Sequence, residues 1–224
     1  MPLMKRTPAH YLDEARKAQA SADDHQTKAQ AALDEARKID TDAVDTIVND
    51  PSQAERVTRE VSTKERIAAA HTKKAQDEQG RRDGLIRDAL AAEAVRLDTR
   101  AEKAEKAGAR HQDAVDELLS RLEELDGVSY QVAPVQDRHG AGSHYPETRG
   151  EEIVSEVEGN RVQASLIRYY LEHGNIPETA KGLDRVDNVS WWSGKYINQA
   201  RDFFIAPMLA AQQAGTILDY TPED

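Results

Sequence analysis

The chain has 224 residues, of which 32% are charged and 5% aromatic, with a formal net charge of -11 and no cysteine. Disulfides, thiolate metal sites and cysteine nucleophiles are thereby excluded. Both halves are acidic, with 27 acidic against 22 basic side chains in residues 1–126 and 14 against 8 in residues 127–224, which disfavours nucleic acid and anionic membrane surfaces as partners.

The aromatic residues are segregated. Only Tyr11 precedes Gly127; both Trp, both Phe and the remaining Tyr follow it. A long segment without large aromatic side chains lacks the groups that dominate an ordinary globular core. It suits long helices that zip along narrow seams. The expected fold is therefore all-α. An elongated antiparallel helical hairpin or coiled-coil stalk over residues 8–126 precedes a loop-rich linker at 127–150 and a small, aromatic-rich helical module at 151–224.

In the first segment, Leu12-Asp13-Glu14-Ala15-Arg16-Lys17 recurs as Leu33-Asp34-Glu35-Ala36-Arg37-Lys38. Between the copies Ala15, Ala22, Ala29 and Ala36 keep a strict heptad spacing, with Leu12, Gln19, Gln26 and Leu33 as companion seam positions. Alanine permits close approach but buries little area, so this helix needs a partner. Ile39-Asp40-Thr41-Asp42 reads as a break, followed by a short helical piece through Val48. Asp50 as N-cap, Pro51 in the first turn and Gln53 as capping partner then start a second helix. Val57, Val61, Ala68, His71 and Ala75 give it a thin stripe. Gly80 and Gly84 favour a helix–helix turn over one very long helix that would tolerate both at about 1 kcal/mol each.

The next segment is strongly periodic. Leu90, Ala94, Leu97, Ala101, Ala104, Gly108, His111, Val115, Leu118, Leu122 and Leu125 alternate by four and three. A helix over 85–126 would be roughly 60 Å long, closed by Gly127 as a left-handed C-cap. Leu90, Leu97, Val115, Leu118, Leu122 and Leu125 form the expected oligomerisation seam, with the leucine-rich end the best packed. His71 and His111 are read as polar seam residues that fix register, ahead of metal ligation or a pH switch.

Val128-Ser129-Tyr130-Gln131-Val132 alternates like a short strand, and Asp137 to Pro146 forms a polar, glycine-containing loop. His139 and His144 lack a third ligand, and no lysine follows the glycines to neutralise a phosphate. Beyond Gly150, Asn160 reads as the N-cap of a helix through His173, with Gly174 as its C-cap. Pro177 begins a short helix ending near Gly182. A final helix starts after Ser193 and is kinked or restarted at Pro207. A helix-turn-helix reading of this region is disfavoured, because Lys181 and Arg185 are opposed by Glu178, Asp184 and Asp187.

Trp192-Ser193-Gly194 resembles the Trp-x-Gly turn of small helical-hairpin secretion substrates of actinobacterial type VII systems. That family places the turn between two long helices in a chain about half this length. Here Pro177 and Gly182 interrupt the preceding helix, and the chain is not assigned to the family.

Trp191, Trp192, Tyr196, Phe203, Phe204, Met208 and Leu209 concentrate apolar surface in one short stretch and form the expected protein-docking cluster. No nucleophile–base pair, metal-ligand set or phosphate loop emerges, so no catalytic, metal or cofactor-binding residue is expected. The expected role is a non-enzymatic structural or assembly protein. It would be a homo-oligomer or a part of a larger protein assembly, such as a phage virion or capsid-assembly component. The alternative is a helical regulatory or secretion-linked binding module. The basic N-terminus has no apolar stretch behind it, and the longest apolar run, Phe203 to Ala211, is interrupted by Pro207. The expected location is accordingly cytoplasmic, or virion if phage-encoded, with no membrane partner.

Overall fold

The computed structural model describes residues 6–132, 148–177, 183 and 205–222. Regular structure among these residues is entirely helical: α1 (Pro8–Asp42), α2 (Val44–Asn49), a 3₁₀ turn (Pro51–Gln53), α3 (Ala54–Asp126), α4 (Arg149–His173), α5 (Pro207–Gln213) and a 3₁₀ turn (Ile217–Asp219). The chain divides into two units, residues 1–89 with 216–224, and residues 90–215.

In the first unit α1 begins at Thr7, whose hydroxyl accepts the His10 amide at 3.3 Å, with Pro8 in the first turn. No break occurs at Ile39; the helix continues to Asp42, and Ala43 separates it from α2. Ala15, Ala22, Ala29 and Ala36 are all buried, as their heptad spacing implies. Of the companion positions Leu12 is buried as expected, and the other three differ. Gln26 is exposed and Gln19 and Leu33 are only half-buried, whereas Ala18 and Ala32 are buried and His25 and Ile39 half-buried. The stripe thus runs 15, 18, 22, 25, 29, 32, 36, 39, selecting the side on which alanines allow the partner backbone to come close.

That partner is the first part of α3. Arg81 approaches Glu14 at 3.6 Å, Arg82 donates to Gln19, His25 meets His71, and Lys64 pairs with Glu35. Numbers fall along α3 as they rise along α1, so the two helices run antiparallel. The start of α3 is set as its sequence implies. Asp50 Oδ1 accepts the Ser52 amide at 3.1 Å, Pro51 occupies the first turn, and Gln53 Nε2 donates to Asp50 Oδ2 at 3.1 Å.

The expected turn at Gly80 and Gly84 is absent. Both lie inside a single α3 of 73 residues. Their intrinsic cost is modest, and Arg81 and Arg82 beside them are engaged with α1, so tertiary pairing holds the helix through the glycines. Gly127 ends it at φ 67, its amide donating to Glu123 O at 2.8 Å. Residues 128–132 form no strand. The polar loop expected at 137–146 lies outside the described residues, as do most of the short helix at 177–182 and the start of the final helix.

In the second unit α4 starts eleven residues before the expected Asn160. Thr148 and Glu151 form a reciprocal capping box, the Glu151 amide donating to Thr148 Oγ1 at 3.3 Å and the Thr148 amide to Glu151 Oε2 at 3.1 Å. Asn160 lies mid-helix, its amide donating to Glu156 O at 2.7 Å. Gly174, at φ 75, caps the C-terminus as expected. Ala101 and Ala104 of α3 cluster with Ile153 and Val157 of α4. Arg161 reaches Glu105 at 2.9 Å and Arg168 reaches Asp98, so this pair is antiparallel as well. Pro207 opens α5, which its missing amide and fixed φ favour at a first turn, and Gln212 donates to Tyr170 Oη at 3.3 Å.

Candidate interaction surface

The long apolar row on α3 changes environment along its length. Leu90, Ala94, Leu97, Ala101 and Ala104 are buried. Gly108 and His111 are half-buried and lie against the first turns of α4. A Cβ on Gly108 would stand 3.1 Å from Ile153 Cγ2, and one on Gly150 would stand 3.5 Å from His111 Cδ2. Because α4 begins at Arg149, its cover ends there. Val115 remains half-buried, and Leu118, Leu122 and Leu125 are 59%, 42% and 80% exposed. Among the described residues of this row, the leucine-rich end, expected to be the best packed, is the most exposed.

The expected oligomerisation seam therefore separates into two parts. Leu90 and Leu97 belong to packing within the second unit, whereas Val115, Leu118, Leu122 and Leu125 continue the same helical face with no equivalent cover among the described residues. Between them lie Glu117 and Arg121, paired four residues apart and both well exposed. Such a pair on a solvated face contributes little stability. At the helix end Tyr130 Oη donates to Asp126 Oδ2 at 2.5 Å, and this bond to a carboxylate raises the phenol above its ordinary range.

Of the expected docking cluster, Trp191, Trp192, Tyr196, Phe203 and Phe204 lie outside the described residues. Met208 and Leu209 are fully buried. They pack inside the second unit rather than being displayed.

The second unit also encloses charge, which composition did not signal. Glu93 is 2% exposed and receives two bonds from Arg96, Nε to Oε2 at 2.7 Å and a terminal guanidinium nitrogen to Oε1 at 2.8 Å. Their three-residue spacing is common in this sequence, so nothing distinguished this pair from the exposed ones. Bidentate geometry offsets the desolvation of a buried carboxylate.

Among the described residues no group of three or more His, Asp or Glu is placed to hold a metal ion, and no helix is long and apolar enough to cross a membrane. No family model matches the sequence, and no curated protein or solved structure matches the chain.

Proposed function

We propose that this is a non-enzymatic assembly protein that self-associates in parallel through the end of α3. The supporting observation is the row of half-buried Val115 and exposed Leu118, Leu122 and Leu125, which continues a buried heptad face past the start of α4. An apolar stripe with this spacing is the pattern that seats one helix against another. The intervening charges favour a second copy as the occupant. With Val115 and Leu122 at one seam position and Leu118 and Leu125 at the other, Arg121 and Asp126 flank the seam on opposite sides. In a parallel pair, Arg121 of one copy lies opposite Asp126 of the next, a register in which the charges attract.

In this reading α1 and the first part of α3 form the coiled-coil hairpin of a stalk, and the C-terminal region carries the surface for further protein partners. By analogy of architecture alone, a role as a phage virion or capsid-assembly component is the one this arrangement suggests.

Light scattering coupled to size-exclusion chromatography tests the reading. Wild-type protein at micromolar concentration is expected to be a dimer or larger. The double substitution Leu118→Ser with Leu122→Ser is expected to yield monomer with unchanged helical content. Arg121→Glu should weaken association, and adding Asp126→Lys should restore it. A wild-type monomer across the accessible concentration range would remove the proposal.

A further inference from the structure

The antiparallel pairing of α1 with α3 has an unusual central rung. His25 Nδ1 and His71 Nδ1 stand 3.0 Å apart, with ring centroids at 5.2 Å and planes tilted by 34°. Both rings are half-buried, and the seam around them is built from small side chains: Ala18, Ala22, Ala29 and Ala32 on α1, Ala68 and Ala75 on α3, all buried. Alanine contacts remove little apolar area from water. Polar rungs therefore carry a larger share of the specificity here than they would between leucine-lined helices.

We propose that His25 and His71 form a proton-sensitive latch that holds α1 against α3 and releases it on mild acidification. Two nitrogens at this separation share one hydrogen: one ring donates Nδ1–H and the other accepts with its lone pair. A first added proton is tolerated, since an imidazolium can still donate to a neutral ring. A second places an N–H on both facing nitrogens, which removes the acceptor and sets two positive charges against each other. Separated helices take up both protons freely. The open state therefore binds more protons than the latched one, and latch stability falls as pH falls. Histidine is the side chain whose unperturbed charge change lies between about pH 5 and 8.

Charged groups flank the pair on both helices. On α1 Asp24, which interacts with both imidazoles, is joined to Lys28 at 2.6 Å, and Asp23 accepts from Gln19. On α3 Lys74 lies one turn beyond His71. The hydrogen bond from Lys28, aided by its charge and those of both imidazoles, holds the Asp24 carboxyl below its ordinary range. Asp24 thus stays ionised in mild acid. Its occupation by Lys28 limits how far it can offset a second imidazolium. The more distant rungs, Lys64 with Glu35 and Arg81 with Glu14, pair lysine or arginine with carboxylates and contain no histidine.

The absence of native cysteine permits site-specific labelling. Ala20→Cys and Lys73→Cys, both exposed, would carry spin labels for distance measurement by double electron–electron resonance. Wild-type sequence is expected to show a short interhelical distance at about pH 7.5 and to lose that population by about pH 5. His71→Asn keeps a hydrogen-bonding side chain but cannot titrate, and is expected to retain the short distance at both. An unchanged wild-type distance, or equal opening in the variant, would overturn the proposal. If the variant fails to fold, ¹⁵N shifts of the wild-type imidazoles decide: one Nδ1–H and one Nε2–H tautomer near neutrality support the latch, and two Nε2–H tautomers refute it.

Discussion

Gly108 of α3 faces Ile153 of α4 so closely that a Cβ added to the glycine would stand 3.1 Å from Ile153 Cγ2. Ile153 is 4% exposed and belongs to the cluster with Ala101, Ala104 and Val157, so it has little room to retreat. Gly80 and Gly84 lie in the same helix with nothing within 4 Å of such a Cβ. Replacing either with alanine is expected to stabilise the protein by roughly 1 kcal/mol, the helical propensity gain. At Gly108 the same gain is opposed by overpacking, which costs about 1–3 kcal/mol in a filled core. Gly108→Ala is expected to be neutral or destabilising. Urea denaturation of the three single variants checks the ranking, and equal stabilisation at all three would mean that the helices do not cross at Gly108.

The contrast among these glycines also marks where the sequence was legible. Caps are local, so Asp50 with Pro51 and Gln53, Gly127 and Gly174 could be read in advance. The buried alanine heptad could be read too, because its period is a property of one helix. What could not be read depended on a distant partner. Gly80 and Gly84 looked like a turn because their cost is local, whereas the pairing of Arg81 and Arg82 with α1 is not. The choice of Ala18, His25 and Ala32 over Gln19, Gln26 and Leu33 follows from which side of α1 the partner approaches. Thr148 gives little signal because the first turn that it caps, Arg149-Gly150-Glu151-Glu152, holds no apolar residue. Leu118, Leu122 and Leu125 have an ideal period, but period alone does not say where the covering helix stops.

Asp50 links pH to the start of α3. Hydrogen bonds from the Ser52 hydroxyl, the Gln53 side chain and the Ser52 amide, in that order of influence, hold its carboxyl below the ordinary range. A depressed folded-state value contributes stability above the unfolded carboxylate range, lost as pH falls through the lower folded value. Hydrogen exchange at the Ser52 amide is therefore expected to show fraying only in acid below the ordinary carboxylate range. Asp50→Ala should fray at all pH values, and Asp50→Asn, which keeps an acceptor, should fray less. Acid-independent protection of Ser52 in the wild type would show that the carboxylate does not set this cap.

Arg16 fastens the C-terminal 3₁₀ turn onto α1. Its Nε donates to Leu218 O at 2.6 Å and a terminal nitrogen to Tyr220 O at 2.7 Å, while Ile217 is 4% exposed. Arg16→Ala leaves both carbonyls without this donor. The expected result is faster amide exchange over residues 217–220, with little change in the exchange of α1 itself. Protection that survives the substitution would assign the anchoring to Ile217 alone.

Leu97 and Leu122 occupy the same apolar row of α3 in opposite circumstances. Leu97 is 3% exposed and Leu122 42%, so truncation acts on different equilibria. Leu97→Ala removes side-chain volume from packing within the second unit and is expected to cost about 2–5 kcal/mol in unfolding free energy at any protein concentration. Leu122→Ala removes surface that the chain itself leaves open. At low concentration its effect on stability is expected to be small. At higher concentration, where association contributes to the apparent stability of the wild type, the difference between wild type and Leu122→Ala should grow. The check is thermal unfolding of both variants over a hundredfold range of protein concentration. A large, concentration-independent loss for Leu122→Ala would mean that another part of the same chain covers this leucine, and the end of α3 would then be internal packing rather than an assembly surface.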